Sequence, residues 1–125
     1  MVVEVGAVPL ALERITDEQV IALRAIVESG DQTSSAQSLS QADIDLHMGL
    51  IRAAGNPLLS QMLEPLVTSI MADIRFIHTL PQVLDEFVEW HMTILRSVEA
   101  RDVTGCQQAL RTHLGRGLGI LLSTS

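Results

Sequence analysis

Apolar residues that recur at steps of three or four are the feature of this chain that most constrains its fold. A step of three or four places side chains on one face of an α-helix, whereas a half-buried β-strand needs strict alternation. Between residues 58 and 78 the pattern is unbroken, and it predicts one helix with a single core face. Its members are Leu59, Leu63, Leu66, Ile70, Ile74 and Ile77.

A capping box marks the start of an earlier helix. Thr16 and Gln19 stand three residues apart, so each side chain can bond to the backbone N–H of the other. This helix is predicted to end near Ser29-Gly30, because glycine commonly follows the last helical residue. The residues expected to face inward are Ile21, Ile26 and Val27.

The polar residues 31–40 follow this helix, and we expect them to be mobile. Ser40 is then predicted to cap a third helix that ends at Ala54. The tripeptide Gly55-Asn56-Pro57 separates it from the next helix. Glycine suits a left-handed position after a helix, asparagine caps the next one, and proline is favoured in its first turn.

Three further helices complete the prediction. A short first helix runs from Val3 to about Glu13 and contains Pro9. Pro81 begins a fifth helix, whose inward stripe is Leu84, Phe87, His91, Ile94 and Val98. Asp102 begins a sixth, whose stripe is Val103, Cys106, Leu110, His113, Gly117 and Ile120. Helices of this length with short connections predict an all-α antiparallel bundle that forms a single domain, residues 1–125.

Charge and composition exclude several classes of protein. The net charge is −7 and all eight basic residues are arginine, so the chain repels phosphate backbones and has no basic helix for an anionic membrane. Aromatic residues are 2% of the chain, which disfavours strands. The lone Cys106 cannot form an internal disulfide, and no signal peptide or long apolar span is evident. We expect a cytoplasmic protein with no membrane partner.

Two of the apolar stripes contain a histidine where leucine is expected, at His91 and His113. The third predicted helix adds Asp43 and His47, whose spacing of four puts them on one face. Asp45 lies two residues before His47 and therefore points away from it. Three imidazoles and one carboxylate suit a divalent ion, zinc first, with nickel, manganese or iron as alternatives. Packed histidines without a metal are the alternative interpretation.

Three runs of sequence, DIDLHMGLIRAAGNPLL, EWHMTILRSVEARD and LRTHL, resemble the FCD domain. This is the C-terminal effector-binding domain of the FadR subfamily of GntR-type transcriptional regulators, and the resemblance covers nearly the whole chain. It implies that Asp43, His47, His91 and His113 bind the metal. It also implies an all-helical antiparallel bundle, a small organic acid bound beside the metal, and a homodimer.

The ligand set itself explains how such a domain could sense a carboxylate. Four protein ligands leave an octahedral ion with two open positions, which a chelating carboxylate could fill. One aspartate leaves the site with a local charge of about +1, which attracts an anion. Arg52 and Arg75 are candidates to bind the far end of this effector, because guanidinium groups bind carboxylates bidentately. His78 is a further candidate pocket residue.

The regulators that the chain resembles carry a winged-helix segment before these helices, and we expect none within residues 1–125. DNA contact is therefore expected only through a winged-helix domain that residues 1–125 do not contain. Two other hypotheses stay open. One is a metal-dependent enzyme, for which no carboxylate other than Asp43 falls on the metal-facing stripes as a general base. The other is a metal-free helical dimerisation module. The favoured expectation is a sensor that is not an enzyme.

Overall fold

A computed structural model describes residues 2–31, 36–74 and 81–124 of the chain, and the side chains of residues 5–29, 41–69, 86 and 88–113. The described residues form six α-helices and no strand, which confirms the predicted all-α class. None of these helices is both long enough and apolar enough to cross a lipid bilayer. The helices are α1 (Val2–Arg14), α2 (Asp17–Asp31), α3 (Ala36–Ala53), α4 (Pro57–Ile74), α5 (Pro81–Glu99) and α6 (Val103–Thr124).

Helix α3 lies at the centre of the bundle, where it packs against α1, α2, α4 and α5. Helix α5 also packs against α2 and α6, and α1 lies against α6. Helix α4 makes its main packing contacts with α3. The side chains that reach the middle of α3 are therefore surrounded by other helices, whereas much of α4 faces outward.

Two apolar clusters hold these helices together. The larger one joins α1, α2, α3, α5 and α6, and its fully buried members include Leu46, Ala54, Ile94, Leu95, Val98 and Leu110. The smaller one lies between α3 and α4 and consists of Met48, Ile51, Leu63 and Val67. Burying a leucine or isoleucine side chain contributes about 1.5–3 kcal/mol relative to leaving it in water. Among the described side chains, those that pack α4 are therefore far fewer than those that pack α3.

The predicted helix boundaries at Thr16, Gly55-Asn56 and Asp102 are confirmed. Gln19 N donates to Thr16 Oγ1 over 3.1 Å, and Thr16 N donates to Gln19 Oε1 over 2.9 Å. Leu59 N donates to Asn56 Oδ1, and Gly105 N donates to Asp102 Oδ1. Gly55 has a φ of 66°, a left-handed conformation that glycine adopts without steric cost.

The start of α3 differs from the prediction. The helix begins at Ala36, so Ser40 lies inside it and does not cap it. Residues 36–40 were expected to belong to a mobile connection because serine favours loops. Serine's helix propensity is only slightly unfavourable, however, and alanine, glutamine and leucine nearby favour the helix. Residues 32–35 lie outside the described part of the chain.

The inward faces of α2 and α4 are each rotated from the predicted ones. Ile21 is 69% exposed, whereas Leu23 and Val27 are buried and Ile26 is half-buried. Contact with α3 selects this face, since Leu23 packs directly on Gly49, where a Cβ atom would collide with it. On α4, Leu66 is 47% exposed and the neighbouring Val67 is fully buried instead. Counted from Leu63, a step of three reaches Leu66 and a step of four reaches Val67, and the sequence pattern is equally consistent with either as the core residue.

Several predicted core residues cannot be compared with the structure. The side chains of Ile70, Ile74, Leu84, Phe87 and Ile120 lie outside the described ones, and so does residue 77 altogether. The stripes of α5 and α6 are confirmed where they are described. Their buried members are His91, Ile94, Val98, Cys106, Leu110 and His113.

Candidate metal centre

The structure brings Asp43, His47, His91 and His113 together in the interior of the bundle. Asp43 and His47 lie one turn apart on α3, His91 lies on α5, and His113 lies on α6. Their exposed fractions are 0%, 0%, 1% and 3%, respectively. The helical spacings had predicted all four inward positions. We call these four side chains the histidine–aspartate cluster.

All three imidazoles in this cluster point their Nε2 atoms at a single carboxylate oxygen. Asp43 Oδ1 lies 3.0 Å from His91 Nε2, 3.0 Å from His113 Nε2 and 3.1 Å from His47 Nε2. The rings of His47 and His113 are stacked, with centroids 5.5 Å apart, and His91 meets His113 edge to face. The cluster is thus compact, and it joins three helices at one point.

The electrostatics of the cluster favour the protonation states that bind metals. Burial raises the pKa of Asp43, but the charge of His113 and the hydrogen bonds from all three histidines outweigh it and hold the pKa well below its usual value. Burial also lowers the pKa of His113, and the neighbouring Asp43 carboxylate only partly opposes this effect. Both directions favour an ionised Asp43 carboxylate and a neutral His113 imidazole, the forms in which these groups coordinate metal ions.

Asp43, His47 and His113 have the spacing needed to hold one divalent ion, and His91 adds a further nitrogen 3.0 Å from Asp43 Oδ1. Two donor atoms bound to the same ion at about 2.1 Å lie about 3.0 Å apart when the bonds meet at a right angle, and the three oxygen–nitrogen distances match this separation. The ligand atoms of Asp43, His47 and His113 all lie within 4.8 Å of one another. In a metal-free interior, three N–H groups would have to donate to one oxygen, which has two lone pairs for them.

Buried apolar residues lie within one turn of the histidines on each of the three helices. Leu46 and Leu50 flank His47 on α3, Ile94 and Leu95 follow His91 on α5, and Leu110 precedes His113 on α6. All five are at most 2% exposed. An apolar surrounding of this kind limits the access of water and strengthens the attraction between a metal ion and its charged ligand.

Trp90 is a neighbour of the cluster that the sequence analysis missed. Its ring centroid lies 5.6 Å from that of His113, with the ring planes at 62°. The side chain is half-buried and lines a groove of about 250 Å³ between α5 and α6, together with Thr93, Gly105, Gln108, Ala109 and Thr112. Two features of the sequence could have identified Trp90. It directly precedes His91, and it is the single tryptophan of the chain.

Arg52, predicted to bind the far end of the effector, does not lie at the cluster. It stands nine positions after Asp43, and nine steps of about 100° place it on the opposite side of α3. Its side chain is 63% exposed, and its Nη2 donates to Glu64 Oε1 of α4 over 2.6 Å. The other two candidates, Arg75 and His78, lie outside the described residues.

Comparisons with known proteins agree with this architecture. The family model of the FCD domain matches residues 1–116. The HTH-type transcriptional regulator McbR of Escherichia coli (strain K12) is 23% identical over 123 residues, which are 94% of this chain and 56% of the relative. The solved structure of E. coli McbR/YncC superposes with a TM-score of 0.82 at 18% identity, over 98% of this chain and 60% of that one. The chain thus spans little more than half the length of the relative it matches.

Proposed function

Because the chain belongs to the FCD domain family, as its sequence motifs predicted, we propose that it is the ligand-sensing domain of a GntR-type transcriptional regulator of the FadR subfamily. Its signal is a small carboxylate, bound together with a divalent metal ion at the histidine–aspartate cluster. Residues 1–125 act as a single sensing domain within a cytoplasmic homodimer. DNA is contacted by a winged-helix domain outside these residues, since a net charge of −7 opposes binding to a phosphate backbone.

The observation that carries this proposal is the convergence of three buried imidazole nitrogens on Asp43 Oδ1. Asp43, His47, His91 and His113 would hold the ion, with zinc as the first expectation and nickel, manganese or iron as alternatives. When bound, the ion attracts an anionic ligand and offers it coordination sites in an otherwise apolar interior.

The chain's own residues link this site to the packing of the bundle. Asp43 and His47 belong to α3, and the other two ligands belong to α5 and α6. A ligand that binds only the assembled cluster stabilises the arrangement of these three helices relative to any other. Metal and carboxylate can therefore change how the domain presents its surface to the rest of a regulator.

We propose a sensor and not a metal-dependent enzyme because the carboxylate nearest in sequence is poorly placed for catalysis. A hydrolytic reaction would need a general base within hydrogen-bonding reach of the reacting group. Asp45 is half-buried on another side of α3, where it accepts a hydrogen bond of 2.8 Å from Gln41 Nε2. Its position supports a structural role for this residue.

The proposal is tested by titrating the purified chain with metals and then with carboxylates. The protein is first stripped with a chelator, and Zn²⁺, Ni²⁺, Mn²⁺ and Fe²⁺ are then added separately while Trp90 fluorescence is recorded. We expect about one ion per chain, because the four ligands surround one point. Citrate, lactate and oxalate are added next, and at least one of them should bind only to the metal-loaded protein.

Two matched variants control this titration. Asp43→Asn removes the charged ligand, whereas Asp45→Asn removes a carboxylate from the same helix outside the cluster. We expect metal binding to be lost in the first variant and kept in the second. Equal binding of carboxylates to the stripped and metal-loaded proteins would contradict the proposed sensor. Conversion of a bound carboxylate into product would contradict the assignment of a sensor without enzymatic activity.

A further inference from the structure

The side chain of Trp90 lies where α5 and α6 meet, beside the histidine–aspartate cluster. Trp90 directly precedes His91 on α5. Its indole ring contacts the imidazole of His113 on α6, with ring centroids 5.6 Å apart and ring planes at 62°. Helices α5 and α6 pack against each other. One side chain is therefore adjacent in sequence to one proposed metal ligand and in contact with another.

The contacts of the His113 ring come from two different sources. Its Nε2 atom lies 3.0 Å from Asp43 Oδ1, the ring of His47 stacks on it, and the ring of His91 meets it edge to face. These partners are the other members of the cluster, which a bound ion would itself draw together. Trp90 contacts the same ring from outside the cluster. Its contact with His113 therefore does not depend on the ion.

The geometry of the Trp90–His113 pair suits a side chain that fixes another. Aromatic rings attract each other most in offset-stacked and edge-to-face arrangements, and this pair is edge to face. Rotation about the side-chain torsions of His113 would carry its Nε2 atom away from Asp43, and a ring packed against the imidazole opposes that rotation. Groups that orient a metal ligand from outside typically contribute about 10–100-fold to metal affinity.

The surroundings of Trp90 favour this role over that of a separate binding site. The residues that line its groove between α5 and α6 are all uncharged, so the groove offers no partner of its own for a metal ion or a carboxylate. Gly105 and Ala109 on the α6 side of the groove are small and leave space for an indole. The indole is half-buried, whereas the neighbouring His113 is 3% exposed. The contact that distinguishes Trp90 is thus the one with His113.

We propose that Trp90 is a positioning residue for the metal centre. It holds the His113 imidazole against Asp43 before the ion binds, and it slows the release of the bound ion. Ligand atoms that are already ordered lose less conformational freedom on binding, so the complex is tighter. The inference rests on the proposed function, because it concerns the same site. Trp90 itself makes no contact with the ion.

The rate of metal release tests this role. Wild type, Trp90→Leu, Trp90→Phe and Met92→Ala are loaded with Zn²⁺ and mixed with an excess of a chromogenic chelator, whose absorbance reports the released ion. Met92 is the matched control, because it directly follows His91 and is partly buried against the larger apolar cluster. We expect Trp90→Leu to release Zn²⁺ about tenfold faster than wild type. Trp90→Phe keeps an aromatic ring beside His113, so it and Met92→Ala should stay close to wild type.

A spectroscopic signature separates positioning from a general loss of stability. Co²⁺ replaces Zn²⁺ in each protein, and its visible absorption depends on the geometry of its ligands. Trp90→Leu should differ from wild type in this spectrum, whereas Trp90→Phe and Met92→Ala should not. Circular dichroism of the stripped proteins checks that the helices are retained. Release from Trp90→Leu at the wild-type rate would overturn the inference, and so would equally fast release from Met92→Ala.

Nuclear magnetic resonance of wild type provides a test that needs no variant. Nuclear Overhauser effects between the ring protons of Trp90 and His113 should be present in both the stripped and the Zn²⁺-loaded protein. Their absence from the stripped protein alone would overturn the inference but leave the metal site in place, because the ion would then orient the imidazole. Wild type that binds no metal would contradict the proposed function, and this inference with it.

Discussion

The histidine–aspartate cluster and a line of three residues on α4, Leu58, Met62 and Leu66, depart from the usual distribution of side chains in opposite ways. We call these three residues the α4 stripe. The cluster places four ionisable side chains in the interior, none of them more than 3% exposed, and the stripe leaves three large apolar side chains between 47% and 65% exposed. Both arrangements are unfavourable for an isolated chain in water. The metal ion proposed for the cluster would offset this cost in the interior.

Removal of the cluster's carboxylate should have the largest effect on the fold. Asp43→Ala leaves three buried imidazoles without the carboxylate that they surround, and each buried polar group that loses its hydrogen-bond partner costs about 1–3 kcal/mol. We expect a loss of this size in the free energy of unfolding, measured with urea, together with loss of bound metal. Asp45→Ala is the control, and it should change stability by about 0.5 kcal/mol at most. Similar stability in both variants would show that the cluster is an ordinary part of the core.

Two leucines on α4 distinguish the side of the helix that packs on α3 from the exposed side. Leu63 is 2% exposed and Leu66 is 47% exposed. Leu63→Ala should destabilise the fold by about 2–5 kcal/mol, since it opens a cavity between α3 and α4. Leu66→Ala should change the free energy of unfolding by about 0.5 kcal/mol at most, because this side chain is already largely exposed. If the two substitutions destabilise the monomer equally, the stripe belongs to the core and the comparison fails.

The smallest expected effect lies outside both regions. Thr16→Ala removes the side-chain oxygen that accepts from Gln19 N, which should cost about 1 kcal/mol. Thr16 belongs neither to the cluster nor to α4, so the metal content should not change. Thermal unfolding and elemental analysis of this variant measure how specific the other effects are. A cap variant that lost metal would mean that any modest destabilisation empties the site.

The cluster could be predicted from the sequence because each member stands out at its own position. His91 and His113 occupy core positions on stripes of apolar residues, and Asp43 and His47 share one helical face with Leu50 and Ala54. A charged or polar side chain at an inward position is a local signal, visible without knowledge of the other helices. The six helices and the caps Thr16, Asn56 and Asp102 were predictable for the same reason, whereas the predicted cap Ser40 lies inside α3.

The α4 stripe and the position of Arg52 could not be predicted in this way. A helix that is apolar over a wide arc has the same sequence pattern whether its neighbour is α3 or another molecule, so Leu66 was assigned to the core. For Ile21, the inward face of α2 depends on the close approach of Leu23 to Gly49, a contact between distant parts of the sequence. Arg52 has a partner in Glu64 only because α4 folds back beside α3.

Thermal melting before and after treatment with a strong chelator tests the central claim most directly. Wild type and His91→Ala are compared, and elemental analysis is made of each sample. Metal present at a hundredfold excess over its dissociation constant stabilises the folded state by about 2.7 kcal/mol. We predict that chelation lowers the melting temperature of wild type, and that His91→Ala contains no metal and does not respond to the chelator. Wild-type protein without bound metal, melting at the same temperature before and after chelation and after added zinc, would contradict the account.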